Sequence, residues 1–247
     1  MLDMNTVVDR VSGLGLEQIE HLRGCTYKDC STVIVCPTRG MIHHRVVESW
    51  NDLIRVPNQR RSFLFCSGDE VGVAYNRMIE RVLGDASLSK YRYLMTVEDD
   101  NLLPADAHLR LLEAIQSGPW DAVSGLYFQK QKGGAPLALG GPDLFNKFGV
   151  DFTIRDVREA ISENKTIEVN GIPMGCAIYK MDLFREIAEP WFTTVNNYFM
   201  VNGRPMGRSS ATQDLAFCER ARLMGKRFAV DCGLHVGHLD VETGEVY

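Results

Sequence analysis

The stretch Tyr93–Asp100, with the sequence YLMTVEDD, decides the fold of this chain. Its first five residues form a mostly apolar run typical of a buried strand, and three consecutive acids, Glu98–Asp100, follow directly. Pro104 then suits the first turn of a helix. Acidic side chains at the carboxyl end of a strand, just before a helix, lie in the crevice where open α/β sheets bind their ligands.

These three acids admit two interpretations. Clustered hard oxygen ligands suit Mg²⁺ or Mn²⁺, and such an ion would most naturally neutralise a phosphate. Alternatively, the acids form a solvated turn that caps the following helix. The triplet alone does not separate the two, so the choice depends on the rest of the chain.

Strands and helices alternate on both sides of this stretch. Apolar runs at Thr32–Cys36 and Ser62–Cys66 precede it, and a further run at Asp121–Phe128 follows it. Between these runs, apolar residues recur at helical spacing over 42–54, 71–83 and 104–118. This alternation predicts a parallel sheet flanked by helices.

The second half of the chain continues the alternation less regularly. We predict strands over Ile172–Lys180 and 227–231, and helices over 155–163, 181–189 and 214–224. Gln129–Gly141 is predicted to be a mobile loop, and Asn196–Ser210 a second flexible loop. Arg204 and Arg208 in that second loop could clamp a diphosphate. At the other end, 7–23 is a candidate amphipathic helix within an N-terminal helical extension over 1–30.

The composition indicates one globular domain with a substantial core. The chain has 247 residues, of which 45% are hydrophobic and 24% are charged. No apolar segment approaches the roughly 20 residues that span a bilayer, and the first residues lack a signal-peptide pattern. We therefore expect a cytoplasmic protein without a transmembrane segment.

Charge and cysteine content exclude further classes. The net charge of −5 argues against a broad electrostatic grip on nucleic acid. Binding of a nucleic acid as the acceptor substrate would need a local basic patch. Lys130, Lys132 and Lys147 are the candidates for such a patch. The seven cysteines are an odd number, and several lie in apolar segments where small core residues are expected. Cys25 and Cys30 could begin a zinc site, but no second pair completes it.

Four motifs follow one another along the chain. The first is the strand end Val35–Gly40, VCPTRG, and the second is Gly72–Asn76, GVAYN. The third is the acidic triplet after Val97. The fourth is Thr212–Arg222, TQDLAFCERAR, with a strand and Gly237-His238 after it.

In this order the motifs resemble those of the GT-A glycosyltransferases, especially the family 2-like enzymes that use nucleotide-diphosphate sugars. They are similar to that family's Pro-Thr turn, its Ala-Arg-Asn helix, its Asp-x-Asp motif and its Glu-Asp helix with a following histidine. The resemblance covers roughly 32–240. Two residues depart from the family pattern, since Tyr75 replaces the arginine and Gln213 replaces the first acid of the Glu-Asp helix.

The resemblance implies a GT-A fold, which is a Rossmann-like, mostly parallel central sheet flanked by helices. A single domain would cover 31–247, with a nucleotide-binding part at about 31–128 and an acceptor part at about 129–247. The implied activity is metal-dependent transfer of a sugar from a nucleotide-diphosphate sugar, a UDP- or GDP-sugar above all, to an unidentified hydroxyl acceptor. Mn²⁺ or Mg²⁺ would stabilise the charge that develops on the leaving diphosphate.

The resemblance also implies roles for single residues. Asp100 and His238 would hold the metal, and Glu98 would contact the ribose or a metal-bound water. Asp214 would be the general base of an inverting displacement. Gly175 resembles a small residue on the acceptor side, where it leaves room for a sugar or eases a bend.

Nucleotide contacts are expected from the ends of the first strands. Thr38 and Arg39 would contact base or ribose, and Ser67 and Asp69 would lie near the base. The further expected nucleotide-binding residues are Asn76, Glu98 and Asp99. Asp99 either joins the site or points back into the sheet, because neighbouring residues of a strand face opposite sides.

Several alternatives remain at this point. His235 competes with His238 as the metal ligand, and their spacing does not choose between them. Asp214 begins a helix, where a carboxylate can simply cap backbone N–H groups. A retaining transferase would need a different arrangement on the leaving-group face.

Two other function classes compete with sugar transfer. A sugar-phosphate nucleotidyltransferase would carry a Gly-rich basic loop after the first strand, and 36–40 is too short and too poor in glycine. A non-catalytic nucleotide-sugar-binding protein is favoured by Tyr75 and Gln213, but the intact Asp214 opposes it.

Overall fold

The computed structural model describes residues 29–141, 143–147, 149–201 and 204–247. The predicted helix over 7–23 and the extension containing it, up to residue 28, lie outside the described residues. Cys25 lies outside them as well.

Thirteen strands and six α-helices make up the described part of the chain. The strands are β1 (Thr32–Thr38), β2 (Arg61–Ser67), β3 (Tyr93–Val97), β4 (Asn101–Leu102), β5 (Ala122–Leu126), β6 (Phe145–Asn146), β7 (Gly149–Val150), β8 (Thr166–Val169), β9 (Cys176–Lys180), β10 (Val195–Val201), β11 (Arg204–Ala211), β12 (Phe228–His235) and β13 (Gly237–His238). The helices are α1 (His44–Asn51), α2 (Val71–Gly84), α3 (Ala107–Ser117), α4 (Arg158–Ser162), α5 (Met181–Glu186) and α6 (Gln213–Leu223), and a 3₁₀ turn covers Leu88–Lys90.

Seven strands form one mixed sheet in the order β2-β1-β3-β9-β5-β12-β8. β1 pairs in parallel with β2 and β3, and β5 pairs in parallel with β12. β9 is antiparallel to both of its neighbours, and β8 is antiparallel to β12. The predicted mostly parallel sheet flanked by helices is confirmed. Because β9 lies between β3 and β5, the segments over 31–128 and 129–247 build the same sheet.

Both faces of the sheet are covered, which explains the continuous apolar runs in its strands. In β1, Val33 and Val35 pack on the face of α2, α5 and α6, whereas Ile34 and Cys36 pack on the face of α1 and α3. All four residues are fully buried. The alternation of one strand between two cores makes a three-layer α/β/α domain.

The predicted elements differ from the structure mainly at their ends. β1 extends beyond the predicted run Thr32–Cys36. Pro37 still pairs with Cys66 of β2, and the strand ends at Thr38. The strand predicted over Ile172–Lys180 begins only at Cys176. The predicted flexible loop over Asn196–Ser210 is wrong, because backbone pairing of β10 with β11 makes an antiparallel hairpin there.

The predicted mobile loop Gln129–Gly141 contains no helix or strand, but its second half is attached to the domain. Ala138 is fully buried. Leu139 forms isolated bridges to Ile154 and Gly171. The prediction of a mobile loop, which rests on the glycine and lysine content, therefore suits the first half of the segment better than the second.

Two further expectations concern membranes and cysteines. Within the described ranges, no helix is both long and apolar enough to span a bilayer. Four cysteines in the apolar segments are core residues, as their positions predict. They are Cys36, Cys176, Cys218 and Cys232.

Gly175 occupies a tightly packed position beside β4. Its N–H donates to the Tyr127 hydroxyl at 2.8 Å. A Cβ atom here would lie 2.2 Å from Asn101 Oδ1 and 2.7 Å from the Tyr127 hydroxyl oxygen. The glycine is therefore required by close packing of Asn101 and Tyr127.

We predict that Gly175→Ala lowers the free energy of unfolding by about 1–3 kcal/mol, because overpacking displaces Asn101 and Tyr127. Gly84→Ala is the matched control, since nothing lies within 4 Å of a Cβ at the end of α2. The control should be neutral or stabilise the protein by up to about 1 kcal/mol. Urea unfolding measures both, and equal effects of the two substitutions would contradict the packing argument.

Candidate active site

A cleft of about 500 Å³ opens at the carboxyl edge of β1, β2 and β3. Parallel strands end at the same edge of a sheet, so polar residues from distant parts of the sequence meet there. Six of the predicted site residues line the cleft. They are Thr38, Arg39, Asp69, Glu98, Asp99 and Asp100.

Asp99 shapes the turn after β1. Its Oδ2 accepts the backbone N–H of Arg39 at 3.1 Å, and its Oδ1 accepts from the Arg39 guanidinium at 3.3 Å. Thr38 Oγ1 in turn accepts the N–H of Gly40 at 3.1 Å. The Arg39 side chain is 71% exposed. Asp99 thus joins the site by holding the β1 turn, and the guanidinium beside it stays accessible to a ligand.

The turn after β2 is held by Asp69. This carboxylate forms an ion pair with Arg77 of α2 and accepts from the Cys66 thiol at 3.4 Å. Ser67 is the exposed last residue of β2 and does not line the cleft. Asp69 therefore reaches the cleft as expected, whereas Ser67 lies at its margin.

Asn76 makes contacts that its motif did not predict. Its Nδ2 donates to the Phe192 carbonyl at 2.7 Å, and its Oδ1 accepts the Phe192 N–H at 2.9 Å. Phe192 packs on Phe217 with ring centroids 4.6 Å apart. The amide therefore fixes the chain between α5 and β10 against α2, and it does not line the cleft. Tyr75, the departure from the family pattern, is fully buried beside it.

His238 reaches the acidic triplet through a short strand pair. β13 pairs antiparallel with β4, directly after Asp100, so that His238 lies opposite Asn101. The Leu239 N–H also donates to the Asp100 carbonyl at 2.7 Å. His235 is exposed at the end of β12. The structure therefore brings His238, and not His235, to Asp100.

The protonation of His238 leaves one ring nitrogen available. Its Nδ1 lies 2.8 Å from the Phe128 carbonyl, which can only accept, so Nδ1 carries the proton. Nε2 then keeps its lone pair and lies 3.9 Å from Asp100 Oδ1. Burial lowers the pKa of His238, although the Phe128 carbonyl and Asp100 oppose this effect. The ring is therefore neutral at pH 7, the state in which histidine binds metals.

Asp100 and His238 fit two ligand positions of a divalent cation. Asp100 Oδ1 is a buried oxygen that has no hydrogen-bond partner among the described residues. Adjacent ligands of an octahedral cation with bonds of about 2.1 Å are about 3.0 Å apart, so these two atoms, 3.9 Å apart, would approach each other by about 0.9 Å on binding it. In the described part of the chain, no three His, Cys, Asp or Glu side chains surround a common position. Further ligands would have to come from water or a bound phosphate.

Lys130 contacts the same carboxylate from the glycine-rich segment after β5. Its ammonium forms an ion pair with Asp100 Oδ2. The sequence places this lysine in a surface patch with Lys132 and Lys147, and only the fold brings it to the acidic triplet. Its position directly beyond the end of β5 is the one sequence signal that could have indicated this contact.

Glu98 carries an unfavourable charge in the site. Burial first, and then the negative charges of Asp100, Asp214 and Asp99, raise its pKa to about 8, and Lys130 only partly offsets them. A carboxyl group shifted this far is more often functional than structural. The shift also shows that Asp214 lies close enough to Glu98 for their charges to interact.

Asp214 is the second residue of α6 and is half-buried. Its Oδ1 accepts the Leu215 N–H at 2.9 Å, so part of the capping interpretation is correct. Burial nevertheless raises its pKa, against the hydrogen bonds from Thr212 and Leu215. A carboxylate with a raised pKa is better suited to accept a proton than an ordinary aspartate.

Comparisons with known proteins support the fold. No protein-family model matches the chain, and no curated protein matches it. Among solved structures, 138 chains are similar. One is the crystal structure of A197 from STIV, with 16% identity and a TM-score of 0.57 over 87% of this chain and 92% of that chain. At this identity the similarity concerns the fold alone, a mixed α/β sheet flanked by helices.

The contacts of Asn76 predict a structural effect of its substitution. Asn76→Ala should lower the free energy of unfolding by about 1–3 kcal/mol, because both backbone polar groups of Phe192 lose their partner. Asn51→Ala, at the exposed end of α1, should change it by less than about 0.5 kcal/mol. Urea unfolding measures both values. Unchanged stability of Asn76→Ala together with weaker nucleotide binding would restore the ligand-binding interpretation.

Proposed function

We propose that this protein is a metal-dependent glycosyltransferase of the GT-A type. It would transfer a sugar from a nucleotide-diphosphate sugar, such as a UDP- or GDP-sugar, to a hydroxyl acceptor. The observation that carries the proposal is the meeting of Asp100 and His238 beside the cleft, with Asp214 near enough for its charge to raise the pKa of Glu98. The alternative, that the triplet caps the following helix, has no support in the contacts of the described residues, because Asp106 precedes α3 and Asp99 and Asp100 contact Arg39 and Lys130 instead.

The donor would occupy the cleft at the carboxyl edge. Arg39 and Asp69 border the part of the cleft formed by the β1 and β2 turns, where base and ribose would lie. Asp100 and His238 would hold Mn²⁺ or Mg²⁺ at the diphosphate, and the bound cation would stabilise negative charge on the leaving group. Lys130, already paired with Asp100, would add positive charge there when the donor binds.

Asp214 would act as the general base. An inverting displacement needs a carboxylate opposite the leaving diphosphate, which takes the proton of the attacking hydroxyl. The raised pKa of Asp214, which burial causes, suits this task. We therefore propose inversion of the anomeric configuration.

The metal assignment predicts a selective effect of Asp100→Asn. Screening UDP-, GDP-, CDP- and dTDP-sugars should identify a donor that raises the melting temperature more with Mn²⁺ than with a chelator. Asp100→Asn should weaken the Mn²⁺-dependent part of this binding by at least about 10- to 100-fold. Asp182→Asn, an exposed carboxylate far from the cleft, is the control. Full Mn²⁺ dependence in Asp100→Asn would exclude Asp100 as a ligand.

The base assignment predicts that Asp214→Asn binds the donor but turns it over slowly. With water as the acceptor, its kcat should fall by about 10²–10⁴-fold, and Glu219→Gln on the exposed face of α6 should retain the wild-type rate. Because the base must be deprotonated, the wild-type rate should fall with decreasing pH, at a pH above the ordinary aspartate pKa of 3.8. Full activity of Asp214→Asn, or retention of the anomeric configuration, would contradict this role.

A further inference from the structure

A second polar pocket lies at the opposite edge of the sheet. It has a volume of about 150 Å³. Arg55, Arg60 and Arg61 line it from the connection between α1 and β2, and His108 of α3 closes one side. Three arginines around so small a space make an unusual concentration of positive charge in a chain whose net charge is −5.

Within the described ranges, this positive charge has no ion-pair partner, although Asp29 lies near enough for its charge to interact with Arg60. Arg55, Arg60 and Arg61 form no ion pair there, although many other arginines of the described part do. Arg61 donates to the Leu53 carbonyl at 3.2 Å, and the Arg60 guanidinium stacks over the Tyr91 ring at 4.7 Å. Burial, together with the charge of Arg55, lowers the pKa of Arg61. Three arginines thus lie around one pocket, with Asp29 as the carboxylate whose charge opposes them in part.

His108 adds a buried acceptor that lacks a donor. Only 2% of the residue is exposed. The Thr32 hydroxyl donates to the Cys30 carbonyl at 2.9 Å, so His108 Nε2, 3.0 Å from Thr32 Oγ1, must donate its own proton. Nδ1 then keeps a lone pair, and it has no partner among the described residues. Burial and the charge of Arg61 lower the pKa of His108 to about 4, so the ring is neutral at pH 7.

We propose that this pocket binds a phosphate group that retains one protonated oxygen, either free phosphate or a phosphate monoester. The arginines would donate to the charged oxygens. The P–OH group would donate to His108 Nδ1, which satisfies the buried lone pair. Sulfate carries no such proton at neutral pH, and its fourth oxygen would meet the lone pair of Nδ1. The pocket should therefore distinguish phosphate from sulfate.

The pocket is separate from the candidate active site. Thr32 and Arg61 begin β1 and β2, whereas Thr38 and Ser67 end the same strands at the cleft. Seven residues of β-strand span about 20 Å. A ligand in the arginine pocket would therefore not touch the donor in the cleft, and the proposal stands independently of the glycosyltransferase assignment.

Calorimetric titration in metal-free buffer at about pH 6 tests the proposal, with inorganic phosphate, methyl phosphate and sulfate at matched ionic strength, because at that pH phosphate and about half of the methyl phosphate keep a P–OH proton. Wild-type protein should bind phosphate or methyl phosphate saturably, and sulfate at least about tenfold more weakly, since one buried hydrogen bond is lost. Tighter binding of methyl phosphate would assign the pocket to a monoester, and tighter binding of phosphate would assign it to the free ion. Both results support the proposal.

Variants locate the binding site. Arg55→Gln/Arg60→Gln removes two exposed charges without touching the Arg61–Leu53 hydrogen bond, and it should weaken phosphate binding by about tenfold or more. Arg158→Gln, an exposed arginine 90% accessible on α4, should bind as wild type does. Absence of saturable binding, equal affinity for sulfate, or wild-type affinity in the double variant would each overturn the proposal.

Discussion

The shared direction of β1, β2, β3, β5 and β12 is the constraint on which the rest of the structure depends. Because these strands are parallel, their carboxyl ends deliver side chains to one edge of the sheet. A short antiparallel pair, β4 with β13, then joins the segment after the acidic triplet to the segment after β12. That pair places His238 beside Asp100. The composition of the cleft is thus a consequence of strand direction and of one two-residue ladder.

The electrostatics of this edge oppose stability. Burial, and then the negative charges of Asp100, Asp214 and Asp99, raise the pKa of Glu98 to about 8. Arg39 and Lys130 offset part of the negative charge through ion pairs with Asp99 and Asp100. Natural proteins tolerate such arrangements mainly at sites where function requires them. The arginine pocket at the other edge has the reverse sign, and there Asp29 opposes the charge of Arg60 only in part.

The sequence predicted correctly those features that depend on a few neighbouring residues. The apolar run Tyr93–Val97 is a local pattern, and β3 has those bounds. The meeting of His238 with Asp100 depended on residues far apart in sequence, so two histidines remained candidates until the fold placed them. Asn76 shows the opposite case, since its motif predicted a ligand contact whereas its amide binds the Phe192 backbone. The hairpin of β10 and β11 was also missed, because turn-forming residues in this stretch obscured the alternation of apolar and polar residues that indicates a strand.

The sequence by itself determined the alternation of strands and helices, the acidic end of β3 and the burial of most cysteines. Each of these follows from the order of apolar and polar residues over a few positions. Only the tertiary structure decided that β9 runs antiparallel between β3 and β5, that Lys130 contacts Asp100, and that three arginines and His108 enclose one pocket. Such contacts depend on which distant segments pack together, and hydrophobic burial, which drives that packing, is not directional.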